Sequence, residues 1–398
     1  MISISKEKLE SRITKFQQKL SKQNIEAGII IQNADLFYFS GTIQGEYLYI
    51  PSNGKPILLV RSDNKRAKKE TGLENVIEFK SSKELIDILK KENIDLPTKL
   101  GLELDILPYK TVTKLQQIFA TDKVINITPQ IRQTRMIKSD SEIKLIKRAA
   151  NKLKSIPQLI KKNLTPDISE LELSAIIEKD LRQKGHTGFI RMRGLNNELP
   201  LGVCTAGKKS TTNIKVDSIC AGTGVHSSAG VGASKSTIKD NSPIILDYVA
   251  THHGYHADQT RMAIIGKPSA YLQKTYDKMV QLQTRLSKYL TPEYSWQDIY
   301  EEGKKLAEEL EVAEYYLGYG NNKEKFVGHG VGVELNEFPF LASGLDLKLK
   351  PGMTIALEPK LVVPDIGAIG IENTYLVTKD KPEKLTTASE ELITIKKA

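Results

Sequence analysis

Two acids eleven residues apart, Asp247 and Asp258, lie in the stretch Ile244–Arg261, on two apolar, β-rich runs that flank His252-His253-Gly254. A hairpin with His252 and His253 at the centre of its turn sets Asp247 directly across from Asp258, and opposite residues of an antiparallel pair share one face. Like charges in that position repel, so the pair asks for a cation between them. The opposition depends on that turn centre, and a one-residue slip breaks it. Three later segments add donors. His329 sits in Gly328-His-Gly-Val-Gly332, where glycines permit close backbone approach. Glu358 ends the apolar run Thr354-Ile-Ala-Leu ahead of Pro359, and Glu372 stands inside Ile369-Gly-Ile-Glu-Asn-Thr-Tyr-Leu-Val, which reads as one buried strand. A buried carboxylate without a partner is expensive, so both runs imply a partner at the same place. Four carboxylates and one imidazole make an oxygen-rich set for two hard or borderline divalent ions. Manganese and cobalt suit it better than a thiolate-preferring ion does, with zinc a further choice. Two ions sharing carboxylates lower the pKa of a water between them and polarise a carbonyl.

The elements that carry these residues follow from periodicity and punctuation. Over the first ~125 residues helical and strand patterns alternate. Lys6–Lys22 has Leu9, Ile13, Phe16 and Leu20 at helical spacing, and Ala27–Ile31 is a short buried-strand run. Tyr47–Ile50 and Pro56–Val60 flank Pro51-Ser-Asn-Gly54, a hairpin signal, and Lys99–Leu102 and Val124–Ile127 read as further strands. A second unit opens at Ser139-Asp-Ser-Glu142, a capping box whose helix runs through Ile143, Ile146, Ala149 and Leu153 toward Ile160. Another box, Ser169-Glu-Leu-Glu172, starts a helix ending near Gly185. Helices are further expected around Pro268–Leu290 and Ser295–Leu310, with strands filling most of the remainder.

The chain has 398 residues, 39% hydrophobic and 27% charged, which describes an ordinary globular composition of about two domains. Fibrous, disordered and disulfide-scaffold classes are excluded, and no apolar run reaches the ~18–20 residues of a spanning helix. The N-terminus turns polar at once, unlike a signal peptide, and the two cysteines, Cys204 and Cys220, fit a reducing cytoplasm. The net charge of +10 invites a nucleic-acid partner. Residues 1–150 hold 26 Lys+Arg against 18 Asp+Glu, so most of the excess lies there, much of it lysine on expected helices such as Ser62–Glu70 and Lys83–Lys91. Lysines interleaved with acids are a solvated face, and no nucleic-acid motif accompanies them. The expectation is no nucleic acid and no membrane.

At Asp247, Asp258, Gly328-His329-Gly330, Glu358-Pro359 and Glu372 the chain resembles the pita-bread metallopeptidase family, which includes Xaa-Pro aminopeptidase, prolidase, methionine aminopeptidase and creatinase-like proteins. The resemblance covers nearly the whole chain. It implies an α/β two-domain protein: a creatinase-like N-terminal α/β domain over residues 1–135, then an α+β pita-bread catalytic domain with a curved antiparallel sheet over 136–398. It also implies roles. Asp258 and Glu372 would bridge two divalent ions, manganese foremost, and Asp247 would hold one of them. His329 and Glu358 would hold the other, with Glu358 also shuttling the proton. The implied activity is hydrolysis of an amide bond in an Xaa-Pro dipeptide or short peptide by a hydroxide held between the ions, in a cytoplasmic homodimer.

Three positions depart from the family pattern. A pocket histidine is replaced in the Ala229-Gly230 region, a second histidine is Asn336, and an arginine two before the last glutamate is Gly370. Asn336 keeps a donor and an acceptor for substrate, and His226 is a candidate to replace the pocket histidine. These changes keep open a same-fold enzyme acting on a small non-peptide amide or as a lyase, and a non-catalytic binding member. Structural readings stand beside the functional ones. The aspartates could belong to a solvated hairpin, His329 to the core, and the glutamates to ion pairs. His256 reads as an outer or surface residue rather than a ligand.

Overall fold

The computed structural model describes residues 4–212 and 220–397. The chain divides into two compact units, Met1–Arg135 and Met136–Ala398. In the first, helices α1 (Lys6–Lys22), α2 (Asn33–Ser40), α3 (Asn64–Glu70), α4 (Leu85–Lys91), α5 (Tyr109–Phe119) and α6 (Thr128–Arg135) accompany strands β1 (Ala27–Ile30), β2 (Tyr47–Pro51), β3 (Ile57–Val60), β4 (Val76–Glu78), β5 (Lys99–Leu102) and β6 (Lys123–Asn126). The strands form one mixed sheet in the order β4-β3-β2-β1-β5-β6. Helix α1 buries the stripe Leu9, Ile13, Phe16 and Leu20 that its spacing foretells. Lys65, Lys68, Lys69, Lys90 and Lys91 are exposed, so this part of the charge excess is a solvated surface.

The second unit begins with α7 (Asp140–Leu153). At its start the Ser139 amide donates to Glu142 Oε2 at 2.9 Å, closing the capping box. The helix does not continue to Ile160 as its periodicity suggests. It ends at Leu153, and α8 (Ile156–Asn163) starts afresh. Pro157 explains the break: without an N–H it cannot continue a helix, but it fits the first turn of a new one. Helix α9 (Glu170–Gln183) follows from the second box, and α10 (Ala270–Ser287) and α11 (Trp296–Glu309) complete the helices described. No described helix is long and apolar enough to cross a membrane.

Strands β7 (Gly202–Ala206), β8 (Ile244–His252), β9 (Tyr255–Ile265), β10 (Gly318–Tyr319), β11 (Asn322–Lys323), β12 (Phe326–Gly330), β13 (Glu337–Ala342), β14 (Thr354–Leu357), β15 (Lys360–Val363), β16 (Gly367–Gly370), β17 (Asn373–Leu376), β18 (Glu383–Lys384) and β19 (Ile393–Ile395) build the rest. They form sheets β19-β9-β8-β7 and β13-β12-β14-β17-β18, with two-stranded ribbons β15-β16 and β10-β11. The core joins the apolar stripes of α10 and α11 (Leu272, Tyr276, Met279, Trp296, Ile299) to strand residues including Ile245, Met262, Ile355 and Leu357.

The β8–β9 hairpin corrects the register expected from sequence. His252 pairs with Tyr255, and the turn residues are His253 at φ 48° and Gly254 at φ 83°. Both central residues have positive φ, the requirement of the two-residue hairpin turn whose twist matches its strands. The turn therefore centres one residue later, so Asp247 lies opposite Thr260 and Asp258 opposite Val249. Moving a turn centre by one residue moves partners by two, which preserves the face. Asp247 and Asp258 thus become diagonal neighbours on one face instead of direct partners. Gly254→Ala is expected to cost about 1 kcal/mol or slightly more, because the left-handed region is unfavourable for a residue with a Cβ. The measurement is a lower urea midpoint with unchanged slope; an unshifted midpoint would contradict this account of the turn.

Candidate metal centre

Asp247 and Asp258 lie in the regular β8–β9 register, whereas His329, Glu358 and Glu372 occupy irregularities. On β12, pairing with β13 shifts register on both sides of His329, and such bulges re-aim a side chain. Gly330 follows because the backbone is crowded there: a Cβ would lie 2.2 Å from the Phe338 carbonyl oxygen. Glu372 is not inside one continuous strand, as its apolar flanks suggest. It lies between β16 and β17, just as Glu358 lies between β14 and β15. Leu357 pairs with Asn373 in one sheet and Lys360 pairs with Gly370 in the ribbon. One antiparallel register runs through both, so Glu358 faces Glu372 where the chain passes from sheet to ribbon.

The structure gathers all five sequence-derived donors. Ligand atoms of Asp258, His329 and Glu372 lie within 4.8 Å of one another, all on buried residues. His329 Nε2 is 3.4 Å from Glu358 Oε1. Asp247 and Glu358 connect to this group through a residue to which sequence reasoning assigned no role. Lys360 is fully buried, with its Nζ 2.8 Å from Asp247 Oδ2, 2.7 Å from Glu358 Oε2 and 3.5 Å from Glu372 Oε2. The signal was present: a lysine that opens the apolar strand Lys360-Leu-Val-Val has to pair with acid if it is buried.

Surrounding groups hold these carboxylates in place. Thr260 Oγ1 donates to Glu372 Oε2 at 2.8 Å, and the Gln259 amide donates to Asp258 Oδ1 at 2.8 Å. Thr374 Oγ1 accepts from the Asp258 amide and donates to the Asp258 carbonyl, both at 2.9 Å. Arg261, completely buried, donates to the carbonyl oxygens of Thr260, Glu372, Ala388 and Ser389 and to Asn373 Oδ1, at 2.8 to 3.0 Å. It ties β9 to the segment carrying Glu372, and it too had no assigned role from sequence.

Burial and then the charge of Asp247 push Asp258 well above the usual carboxylate range, and burial and then Asp258 do the same to Glu372. Burial pulls Lys360 down, but Asp247, Glu358 and Glu372 outweigh it and hold the ammonium well above its ordinary value. A cluster that raises its own acids in this way is short of positive charge, and a divalent ion would supply it. The donor geometry fits one: Glu372 groups with Asp258 and His329, and its Oε1 is buried with no hydrogen-bond partner. Burial pushes the Cys220 thiol up to about 12, so no thiolate competes and the donors are oxygen and nitrogen.

A small cleft of about 50 Å³ opens on the centre. Asp247, Asp258, His329 and Glu358 line it together with Asn336 and the apolar Met192, Leu199, Val203, Val249 and Leu335. His226 is not among its lining. It is exposed, with Nδ1 3.0 Å from Ser228 Oγ in a local turn. His256 is buried and shares its face parity with Asp258, but its ring bridges the backbone: Nδ1 lies 2.9 Å from the Gly332 carbonyl and Nε2 accepts from the Arg191 amide at 3.3 Å. Burial lowers its pKa to about 4, so it stays neutral as a structural tie. His253 is exposed at the hairpin turn.

Comparison with known proteins agrees with this fold. Residues 144–379 match the model of metallopeptidase family M24, and residues 12–137 match the creatinase/prolidase N-terminal domain. An Xaa-Pro dipeptidase of Pyrococcus horikoshii is 26% identical, over 97% of this chain and 99% of its own. Among solved structures, an Xaa-Pro dipeptidase from Bacillus anthracis superposes with a TM-score of 0.82 at 24% identity, covering 97% of this chain and all of that one. The prolidase from P. horikoshii gives 0.79 at 24% identity, over 96% of this chain and 100% of its own. The architecture is the two-domain pita-bread arrangement, and the match to the catalytic model spans more than half of the chain. This protein is a hydrolase that belongs to metallopeptidase family M24 and carries a creatinase/prolidase N-terminal domain.

Proposed function

We propose that the chain is a dipeptidase or aminopeptidase acting on Xaa-Pro peptides at the centre formed by Asp258, His329 and Glu372, with manganese as the ion. The observation that carries this reading is the convergence of those three donors, Asp258 and His329 lining a cleft with apolar walls and Glu372 buried with an orphaned oxygen. An ion bound there would polarise the scissile carbonyl and make a water acidic enough to attack it. The chain's own residues do the rest. Glu358 lines the cleft beside His329 and takes the proton from the attacking water, then passes it to the leaving nitrogen. Asn336 offers a donor and an acceptor to the substrate main chain. Met192, Leu199, Val203, Val249 and Leu335 receive an apolar side chain or a proline ring and displace water. The small cleft and the Xaa-Pro dipeptidases among the relatives both favour a short substrate. How many ions the five donors hold depends on Lys360, whose ammonium shares these carboxylates. A cytoplasmic homodimer remains part of the proposal. The buried, unbridged Cys204 and Cys220 suit a reducing compartment, and the dimer, which rests on family resemblance, is checked by light scattering.

The test is a panel of Xaa-Pro dipeptides, other dipeptides and Xaa-Pro-initiated tripeptides, before chelation, after it and after manganese is returned. Turnover of Xaa-Pro peptides that vanishes on chelation and recovers with manganese is the expected result. Activity that survives complete metal removal, or hydrolysis of no peptide in the panel, would overturn the reading.

A further inference from the structure

We propose that the Lys360 ammonium is a built-in cation standing where a second ion would bind, so that the centre takes one divalent ion instead of two. The inference rests on the reading of Asp258, His329 and Glu372 as ligands. It starts from how the oxygens are shared out. Lys360 Nζ engages Asp247 Oδ2 at 2.8 Å and Glu358 Oε2 at 2.7 Å, and approaches Glu372 Oε2 at 3.5 Å. Glu372 Oε2 also accepts from Thr260. Glu372 Oε1 is fully buried without a hydrogen-bond partner, and it belongs to the residue that forms the compact trio with Asp258 and His329. The donors are therefore divided: Asp247 Oδ2 and Glu358 Oε2 engage the ammonium, Glu358 Oε1 stays 3.4 Å from His329 Nε2, and Asp258, His329 and Glu372 form the compact trio.

The backbone makes Lys360 a built feature of this place. Lys360 follows Glu358 by two residues, so both side chains leave the same face of the extended chain. Opposite Lys360 in the ribbon is Gly370, two residues before Glu372 and so on that same face. A Cβ at Gly370 would lie 2.5 Å from Lys360 Cγ and 3.0 Å from its Cα and Cβ. The missing side chain at position 370 is thus the space through which the lysine stem crosses to the acids. Electrostatics agree. A second ion would have to share Asp247 and Glu358 with the buried ammonium, and the two cations would repel each other and compete for the same oxygens.

The experiment is metal counting on purified full-length protein loaded with manganese alone, by elemental analysis and titration calorimetry, with electron paramagnetic resonance as a second readout. Wild type is expected to bind one manganese per chain and to show an uncoupled mononuclear signal. Lys360→Gly is expected to bind two and to show exchange coupling, and Lys360→Met, which keeps the stem and removes the charge, serves if the glycine variant fails to fold. Two coupled ions in wild type, or one ion in both wild type and a folded Lys360 variant, would overturn the role given to Lys360. No ion in wild type or in any Lys360 variant would instead overturn the reading of the trio as a metal centre, and this inference with it.

Discussion

Glu372→Gln is expected to lower kcat/KM on an Xaa-Pro dipeptide by about 10³-fold and to weaken manganese binding along with it. The amide keeps the shape of the side chain and can still accept from Thr260 Oγ1, which bonds Glu372 Oε2 at 2.8 Å. It removes the negative charge and replaces one carboxylate oxygen with an N–H donor, at the residue whose Oε1 is buried without a partner. Lewis-acid stabilisation is worth several kcal/mol in a transition state, and each 1.36 kcal/mol is tenfold in rate. Calorimetry with manganese and steady-state kinetics on the same preparation provide the check. A variant that keeps more than a tenth of wild-type kcat/KM with unchanged metal affinity would show that Glu372 is a structural acid.

Arg261→Met is expected to cost about 3–5 kcal/mol of stability. The guanidinium is completely buried and makes five hydrogen bonds, four to carbonyl oxygens and one to Asn373 Oδ1. Removing it strands those acceptors away from water at about 1–3 kcal/mol for each that finds no new donor, partly offset by the desolvation that the cation no longer suffers. Arg261→Lys should recover only part of the loss, because an ammonium lacks the planar five-donor fork. Urea denaturation followed by circular dichroism measures both variants. Because the Glu372 carbonyl is one of the acceptors, the folded fraction of Arg261→Met should also bind manganese more weakly. Stability within 1 kcal/mol of wild type would contradict the network's assigned importance.

Much of the donor set was legible because each member breaks a local rule. Glu358 and Glu372 are acids in apolar runs, His329 stands among glycines, and Asp247 and Asp258 interrupt two β-rich segments. Burial of charge is costly enough to make such residues conspicuous in sequence. The long helices are equally readable: α1 has a clear apolar stripe, and α9 and α11 have capping boxes and apolar stripes that agree with one another. Where local signals conflict, the pattern along the chain misplaces an element's end or centre. The stripe of α7 continues in phase past Leu153, and Pro157 ends it. The run His252-His253-Gly254 admits two turn centres, and Gly254, the residue best suited to positive φ, selects the later one.

Residue types and order by themselves marked the acids of the centre and the apolar strands that carry them, because burial of charge and strand periodicity are visible along the chain. Only the tertiary structure decided that Glu358 faces Glu372 at a passage between sheet and ribbon, that Asn336 reaches the cleft while His226 does not, and that Arg261 braces the Glu372 segment. It also brought Lys360 among the acids, across the space left by Gly370. The physical reason is separation along the chain. Lys360 meets Asp247 more than a hundred residues away, and which charges share one buried space depends on strand register and sheet crossing, which no local pattern encodes.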